Sequence, residues 1–111
     1  MDFIRVYTGE DGASHFEPVT GELAEAWAKG FPSAHCAVRA LAVGTLMDWH
    51  PAPQRQLVVH LSGQVEITLR DGASHVFGPG SARLMDDVTG SGHLTRVLGS
   101  EPSMQAVIRL A

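Results

Sequence analysis

Along most of the chain, hydrophobic and polar positions alternate at the short period of a strand. Phe3 to Thr8 is rich in β-branched and aromatic residues and is closed by Gly9-Glu10-Asp11-Gly12, which predicts a strand followed by a turn. One segment departs from this rhythm. Between Gly21 and Lys29 the apolar residues Leu23, Ala26 and Trp27 recur at helical spacing, and Gly30 and Pro32 would stop a helix, so at most one short helix is expected near residues 21–29. Strand-like runs then follow from His35 to Val43, Arg55 to Leu61, Gln64 to Arg70, Ser74 to Phe77, Ala82 to Met85, Leu94 to Leu98 and Met104 to Leu110.

Tight turns separate several of these runs. Ser62-Gly63, Asp71-Gly72 and Gly78-Pro79-Gly80 suit antiparallel neighbours, and short strands at this rhythm imply an all-β sandwich or barrel. The pentapeptide Asp-Gly-Ala-Ser-His occurs at Asp11 to His15 and again at Asp71 to His75. It is far shorter than any architectural repeat, and two similar hairpin turns account for it better than duplication does.

Composition narrows the picture. The 111 residues, numbered 1–111, fit one domain with one hydrophobic core. Eight Lys and Arg against twelve Asp and Glu give a formal charge of −4 without a long block of either sign, which argues against a nucleic-acid partner. No apolar run approaches membrane-spanning length and the amino terminus lacks a leader pattern, so a cytoplasmic protein without a membrane partner is expected. Cys36 is the one cysteine, and a buried, inert thiol is expected for it.

One stretch carries more specific information. Gly44, His50, Ala52, Gln56 and Gly63 keep the spacing of a motif that runs Gly, five residues, His-x-His, three or four residues, Glu, six residues, Gly. In this respect the chain resembles the cupin superfamily, with Ala52 where the second histidine belongs and Gln56 in place of the glutamate. Gly80 to His93 is similar to the second cupin motif. Asp86 there takes a proline's place, and Thr89-Gly90-Ser91-Gly92 lengthens the segment before His93 by two residues. The two motifs, over 44–63 and 80–97, cover roughly half the chain. The resemblance implies a small single-domain cupin: an antiparallel jelly-roll, or double-stranded β-helix, barrel enclosing a small-molecule pocket marked by His50 and His93. It also implies a homodimer, in which Phe3 to Thr8 could cross to the partner.

Metal-binding members of this superfamily hold iron, manganese, nickel or zinc with three His and one Glu. If a divalent transition metal is bound here, the resemblance assigns it to His50, His93 and Gln56. Ala52 offers no donor, however, and an amide is a weaker ligand than a carboxylate. Strand alternation places Gln56, Val58 and His60 on one face and His93, Thr95 and Val97 on another, so His60 is a candidate third imidazole. The metal-free alternative uses His50, His93 and His60 as acid or base, with Gln56 orienting the substrate, as in cupins such as the sugar epimerases that work without a metal.

The residues around these candidates receive more ordinary readings. Asp86 and Asp87 read as solvated loop carboxylates, the alternative being acceptors for an imidazole nitrogen. Trp49 is either a ligand wall or structural, and Arg55 and Arg96 point outward into salt bridges by parity. His15, His35 and His75 are expected at the surface. Three functions follow: an acid–base isomerase, cyclase or lyase; a metal-dependent oxygenase or lyase; and a non-catalytic small-molecule binding or sensing module.

Overall fold

In the computed structural model, which describes residues 2–111, the alternating runs become strands β1 (Phe3–Thr8), β2 (Ser14–Pro18), β3 (Ser33–Leu41), β4 (Leu46–His50), β5 (Gln56–Ser62), β6 (Gln64–Thr68), β7 (Ser74–Phe77), β8 (Ala82–Asp86), β9 (His93–Leu98) and β10 (Ser103–Leu110). The helical segment forms α1 (Gly21–Lys29) at the expected residues. Thr20 precedes α1 in an extended conformation, and the Gly30 amide closes the last turn by donating to the Ala26 carbonyl at 3.2 Å. Glu22 in the first turn and Lys29 in the last complement the helix dipole.

The strands form two sheets, ordered β2-β1-β8-β5-β10-β3 and β4-β9-β6-β7. From β3 onward the chain moves back and forth between the sheets, placing four strands in each, which is a double-sheet jelly roll. The sheets face each other without closing into one continuous barrel. The β1–β2 hairpin extends the larger sheet beyond β8, with β1 parallel to β8 and antiparallel to β2. This addition carries Ser14 to the site described below.

Alternation decides what fills the space between the sheets. Val58 and His60 on β5, Val65 and Ile67 on β6, and His93, Thr95 and Val97 on β9 are buried, while their chain neighbours are more open. Val6, Phe77 and Met85 join them in the core, and each fully buried side chain of this size contributes about 1.5–3 kcal/mol. β8 is buried on both faces. Met85 lies in the core while Ala82 faces α1, whose Trp27 stacks on Phe3 at 5.3 Å.

Both Asp-Gly-Ala-Ser-His segments build the same turn. Asp11 Oδ1 accepts the Ala13 amide at 3.0 Å, and Asp71 Oδ1 accepts the Ala73 amide at 2.9 Å. Gly12 and Gly72 follow with φ of 76° and 89°, the left-handed region that glycine enters without a Cβ penalty. The repeat is a repeated turn.

Three readings need correction. β2 and β4 were not expected as strands, because β2 carries half-exposed polar residues and β4 is an edge strand with a partly solvated face. Cys36 is exposed, because β3 is the outer edge of its sheet and all its residues but Leu41 are open to solvent. Asp86 and Asp87 are not solvated loop carboxylates. Asp86 ends β8 between Arg5 (2.8 Å) and Arg55 (2.6 Å), and Asp87 has no exposed surface.

Candidate functional site

His50 and His93 come together through strand pairing. β4 and β9 are antiparallel with His50 directly opposite His93, a register that brings Cβ atoms to about 4.5–5.5 Å. Their ring centroids are 5.0 Å apart at an interplanar angle of 52°. Gly92 permits this approach: its φ is 74°, and a Cβ there would fall on the His50 carbonyl. The lengthened loop before it is fixed by the added hairpin, with the Ser91 amide donating to the Gly12 carbonyl at 3.0 Å and the Thr8 hydroxyl to the Thr89 carbonyl at 2.9 Å.

Hydrogen bonds assign a tautomer to each ring. His50 Nδ1 is 2.6 Å from the Asp48 carbonyl oxygen, which can only accept, so Nδ1 carries a proton. His93 Nδ1 lies 2.6 Å from Asp87 Oδ2 and donates to that carboxylate. The same oxygen accepts the Ser14 hydroxyl at 2.7 Å. In the tautomer these bonds select, Nε2 of each ring holds the lone pair. Asp87 Oδ1 is buried without a partner, and the Asp87 carbonyl accepts the amide of Ala52, the residue in the second histidine's place, at 2.9 Å.

A cavity of about 250 Å³ opens beside this pair. Gln56 from β5 and Thr95 from β9 line it, as strand parity predicted, together with Ala52 and Met85. Two arginines complete the wall, Arg83 from β8 and Arg39 from β3. Arg83 is 3% exposed; its Nε donates to His60 Nε2 at 3.0 Å and its Nη1 reaches Met85 Sδ at 3.3 Å.

His60 shares the inner face with Gln56 but does not reach the cavity, because Arg83 stands between. Its ring stacks on Phe77 at 5.4 Å and 15°. Burial, and then the charges of Arg83 and Arg39, push its pKa down to about 3, so it stays neutral and accepts from Arg83. Arg55 pairs outward with Asp86 as parity predicted, whereas Arg96 points outward but is in none of the ion pairs of the described residues. Trp49 lies under the Arg70 guanidinium, 3.9 Å from its ring centre, and does not line the cavity.

The donor set does not fit a resident transition metal. Two imidazoles and the neutral Gln56 amide provide no anionic ligand, Ala52 none at all, and two guanidinium groups line the same cavity. Among the described residues no three His, Cys, Asp or Glu side chains converge on a common point.

Sequence reasoning missed Arg39, Arg83 and Ser14, and gave Asp87 its ordinary reading. For Arg83 a signal was present: an arginine inside the otherwise apolar run Ala82 to Met85, where a strand buried on both faces leaves no route to solvent. Ser14 and Arg39 had none, since their contribution depends on the β1–β2 hairpin extending the sheet past β8 and on β3 lying beside β10.

No family model and no curated protein matches the chain. Among solved structures it is similar to a conserved protein of unknown function from Streptococcus pyogenes, at 22% identity and a TM-score of 0.51 over 68% of this chain. The match spans 64% of that protein's length. A protein from Neisseria meningitidis aligns at 14% identity and a TM-score of 0.51, over 68% of this chain and 72% of that one. A Pseudomonas putida prolyl-4-hydroxylase aligns at 16% identity and a TM-score of 0.40, over 86% of this chain and 71% of that one. Likeness at these identities concerns the fold alone, which the observed topology gives as a double-sheet jelly roll.

Proposed function

We propose that the protein is a cupin enzyme of the isomerase, cyclase or lyase type, working on a small molecule by histidine acid–base chemistry without a metal. The observation that carries this reading is the 2.6 Å bond from His93 Nδ1 to the buried Asp87 carboxylate at the wall of the cavity. A carboxylate in that position holds the ring in one orientation and stabilises the imidazolium formed when Nε2 takes a proton. His50, fixed by the Asp48 carbonyl, presents a second Nε2 and returns or removes a proton at a neighbouring atom. The Gln56 amide supplies a donor and an acceptor to orient a polar substituent. The reaction class that fits is proton removal at one position and proton delivery at another. We also propose that the protein acts as a homodimer.

The test begins with protein purified without an affinity tag. Small molecules released on denaturation are returned to fresh protein in deuterated water and followed by NMR. Conversion or solvent deuterium incorporation is expected with the native chain, and a loss of about 100-fold or more in His93→Gln and in His50→Gln. A recovered ligand that stays unchanged and undeuterated would instead favour a binding module. Elemental analysis of the same preparation is expected to find no stoichiometric transition metal; a stoichiometric ion that disappears in His50→Ala would overturn the metal-free reading.

A further inference from the structure

Two guanidinium groups on the cavity wall have no carboxylate partner. The ion pairs of the described residues engage Arg5, Arg55 and three histidines, and none includes Arg39 or Arg83. Arg83 is held by a neutral imidazole and a thioether, and Arg39 only by long contacts to the Gln105 amide oxygen at 3.3 and 3.4 Å. A buried guanidinium is ordinarily matched by an anion, because the low-dielectric interior does not replace the water it loses. Burial, followed by repulsion from Arg39, depresses the Arg83 pKa to about 9, and the charge of Asp87 offsets this only in part. Arg83 is still protonated at neutral pH, so the cavity keeps an unmatched positive charge.

The support beneath Arg83 is also specific. His60 stacks on Phe77 and gives its only accepting nitrogen to Arg83 Nε, while its own Nδ1 is left buried without a partner. This arrangement leaves one His60 nitrogen without a partner in order to hold a guanidinium that lines the cavity, with Nε and Nη1 engaged and Nη2 in none of the hydrogen bonds of the described residues. The rest of the wall includes Met47, Pro51, Ala52 and Met85, which suit carbon rather than water or a fully polar oxyanion. The volume of about 250 Å³ lies below the roughly 300–1,000 Å³ of drug-sized sites.

We infer that Arg83 and Arg39 form a carboxylate-binding subsite, and that the protein takes a small organic acid whose carboxylate docks on these arginines and whose carbon body lies against His50 and His93. This assignment rests on the acid–base reading of the site for its catalytic meaning, but the binding it describes is independent of turnover. With Arg83 Nε and Nη1 already engaged, Arg83 offers Nη2 and Arg39 a second guanidinium, and charge-assisted hydrogen bonds from two separate arginines fix the acid in orientation as well as position. An acid held in this way presents the carbon beside its carboxylate to the imidazole Nε2 atoms. His60 is then a positioning residue for Arg83.

Calorimetric titration at low salt tests the subsite with succinate, its neutral diamide and inorganic phosphate as probes. Succinate is expected to bind the native protein and the diamide to bind at least tenfold more weakly. Succinate affinity is expected to fall tenfold or more in Arg83→Met and in Arg39→Gln, the second lying on an exposed strand where loss of fold is not at issue. The loss is expected to be smaller in His93→Gln, which removes a ring that touches the acid's carbon body without pairing its charge, than in either arginine variant, which separates this inference from the catalytic one. Absence of succinate binding, equal binding of the diamide, or unchanged affinity in Arg39→Gln and Arg83→Met would each overturn it. Phosphate binding more tightly than succinate would replace carboxylate by phosphate and overturn the stated class. If succinate binds through the arginines while the recovered ligand is never converted, the subsite stands and the acid–base reading fails.

Discussion

Asp87 shows how much one side chain does when its surroundings are dry. Its Oδ2 accepts from both Ser14 and His93, and no water-exposed surface remains on the residue. Replacement by Asn keeps the shape but removes the charge, and with its oxygen facing Ser14 and His93 its NH2 group is buried where Asp87 Oδ1 already lacks a partner. We expect Asp87→Asn to lower stability by about 1–3 kcal/mol, measured by chemical denaturation. Long-range proton–nitrogen NMR should show His93 fixed as the Nδ1–H form in the native protein and mixed in the variant; an identical His93 spectrum in both would remove Asp87 from the proposed chemistry. His60 sets a different prediction. Its folded pKa of about 3 lies below the ordinary 6.5, so between pH 6.5 and 3 the unfolded chain binds a proton that the folded chain refuses. Its contribution is fully present above pH 6.5 and is lost as pH falls through that window. His60→Gln, which keeps an acceptor for Arg83, should flatten the acid limb of the stability curve; an unchanged limb would contradict it. At this scale the sequence marked candidate residues but not which are neighbours. His50 and His93 were legible from motif spacing and the inward face of Gln56 and His60 from parity, whereas the place of Arg83 between His60 and the cavity depends on side-chain packing.

Among the elements, the site depends on the β4–β9 pairing and on the loop that ends in Gly92. A Cβ at Gly92 would strike the His50 carbonyl while also requiring φ of 74°. Gly99 has a similar φ of 78° but nothing within reach of a Cβ. Gly99→Ala should therefore cost about 1 kcal/mol from backbone strain alone, and Gly92→Ala clearly more, together with loss of ligand conversion. Equal thermal stability in the two variants would show that the His50 contact is unimportant. Helix α1 was legible to the residue because spacing, Gly30 and Pro32 agree on its limits. β2 and β4 were obscured because both lie at sheet edges, where only part of one face is buried and the alternation fades. The same loss of contrast misplaced Cys36, since β3 is apolar enough to read as a buried strand yet lies at an edge.

At the scale of the molecule, β3 presents the longest uncovered edge. β1 is hydrogen-bonded on both sides within its own chain, to β2 and β8, which leaves β2 and β3 as the edges of the larger sheet. β2 is five residues long and ends in Pro18, a blunted edge. β3 has nine residues without a proline, its single charged side chain, Arg39, lines the cavity, and Val38 is 65% exposed. An unprotected edge of this length is a template for pairing, and a second copy of the chain is the partner that closed symmetry provides. The proposed homodimer should therefore use β3. Light scattering coupled to size-exclusion chromatography should give twice the chain mass for the native protein and the chain mass for Val38→Lys. Native protein that runs as a monomer across the micromolar range, or a Val38→Lys variant that still dimerises, would remove β3 from the interface. The location of Arg39 on this strand adds a consequence for binding. Pairing would hold β3, and with it one of the two guanidinium groups, in a fixed place, so a monomeric Val38→Lys variant should bind succinate more weakly although residue 38 does not line the cavity.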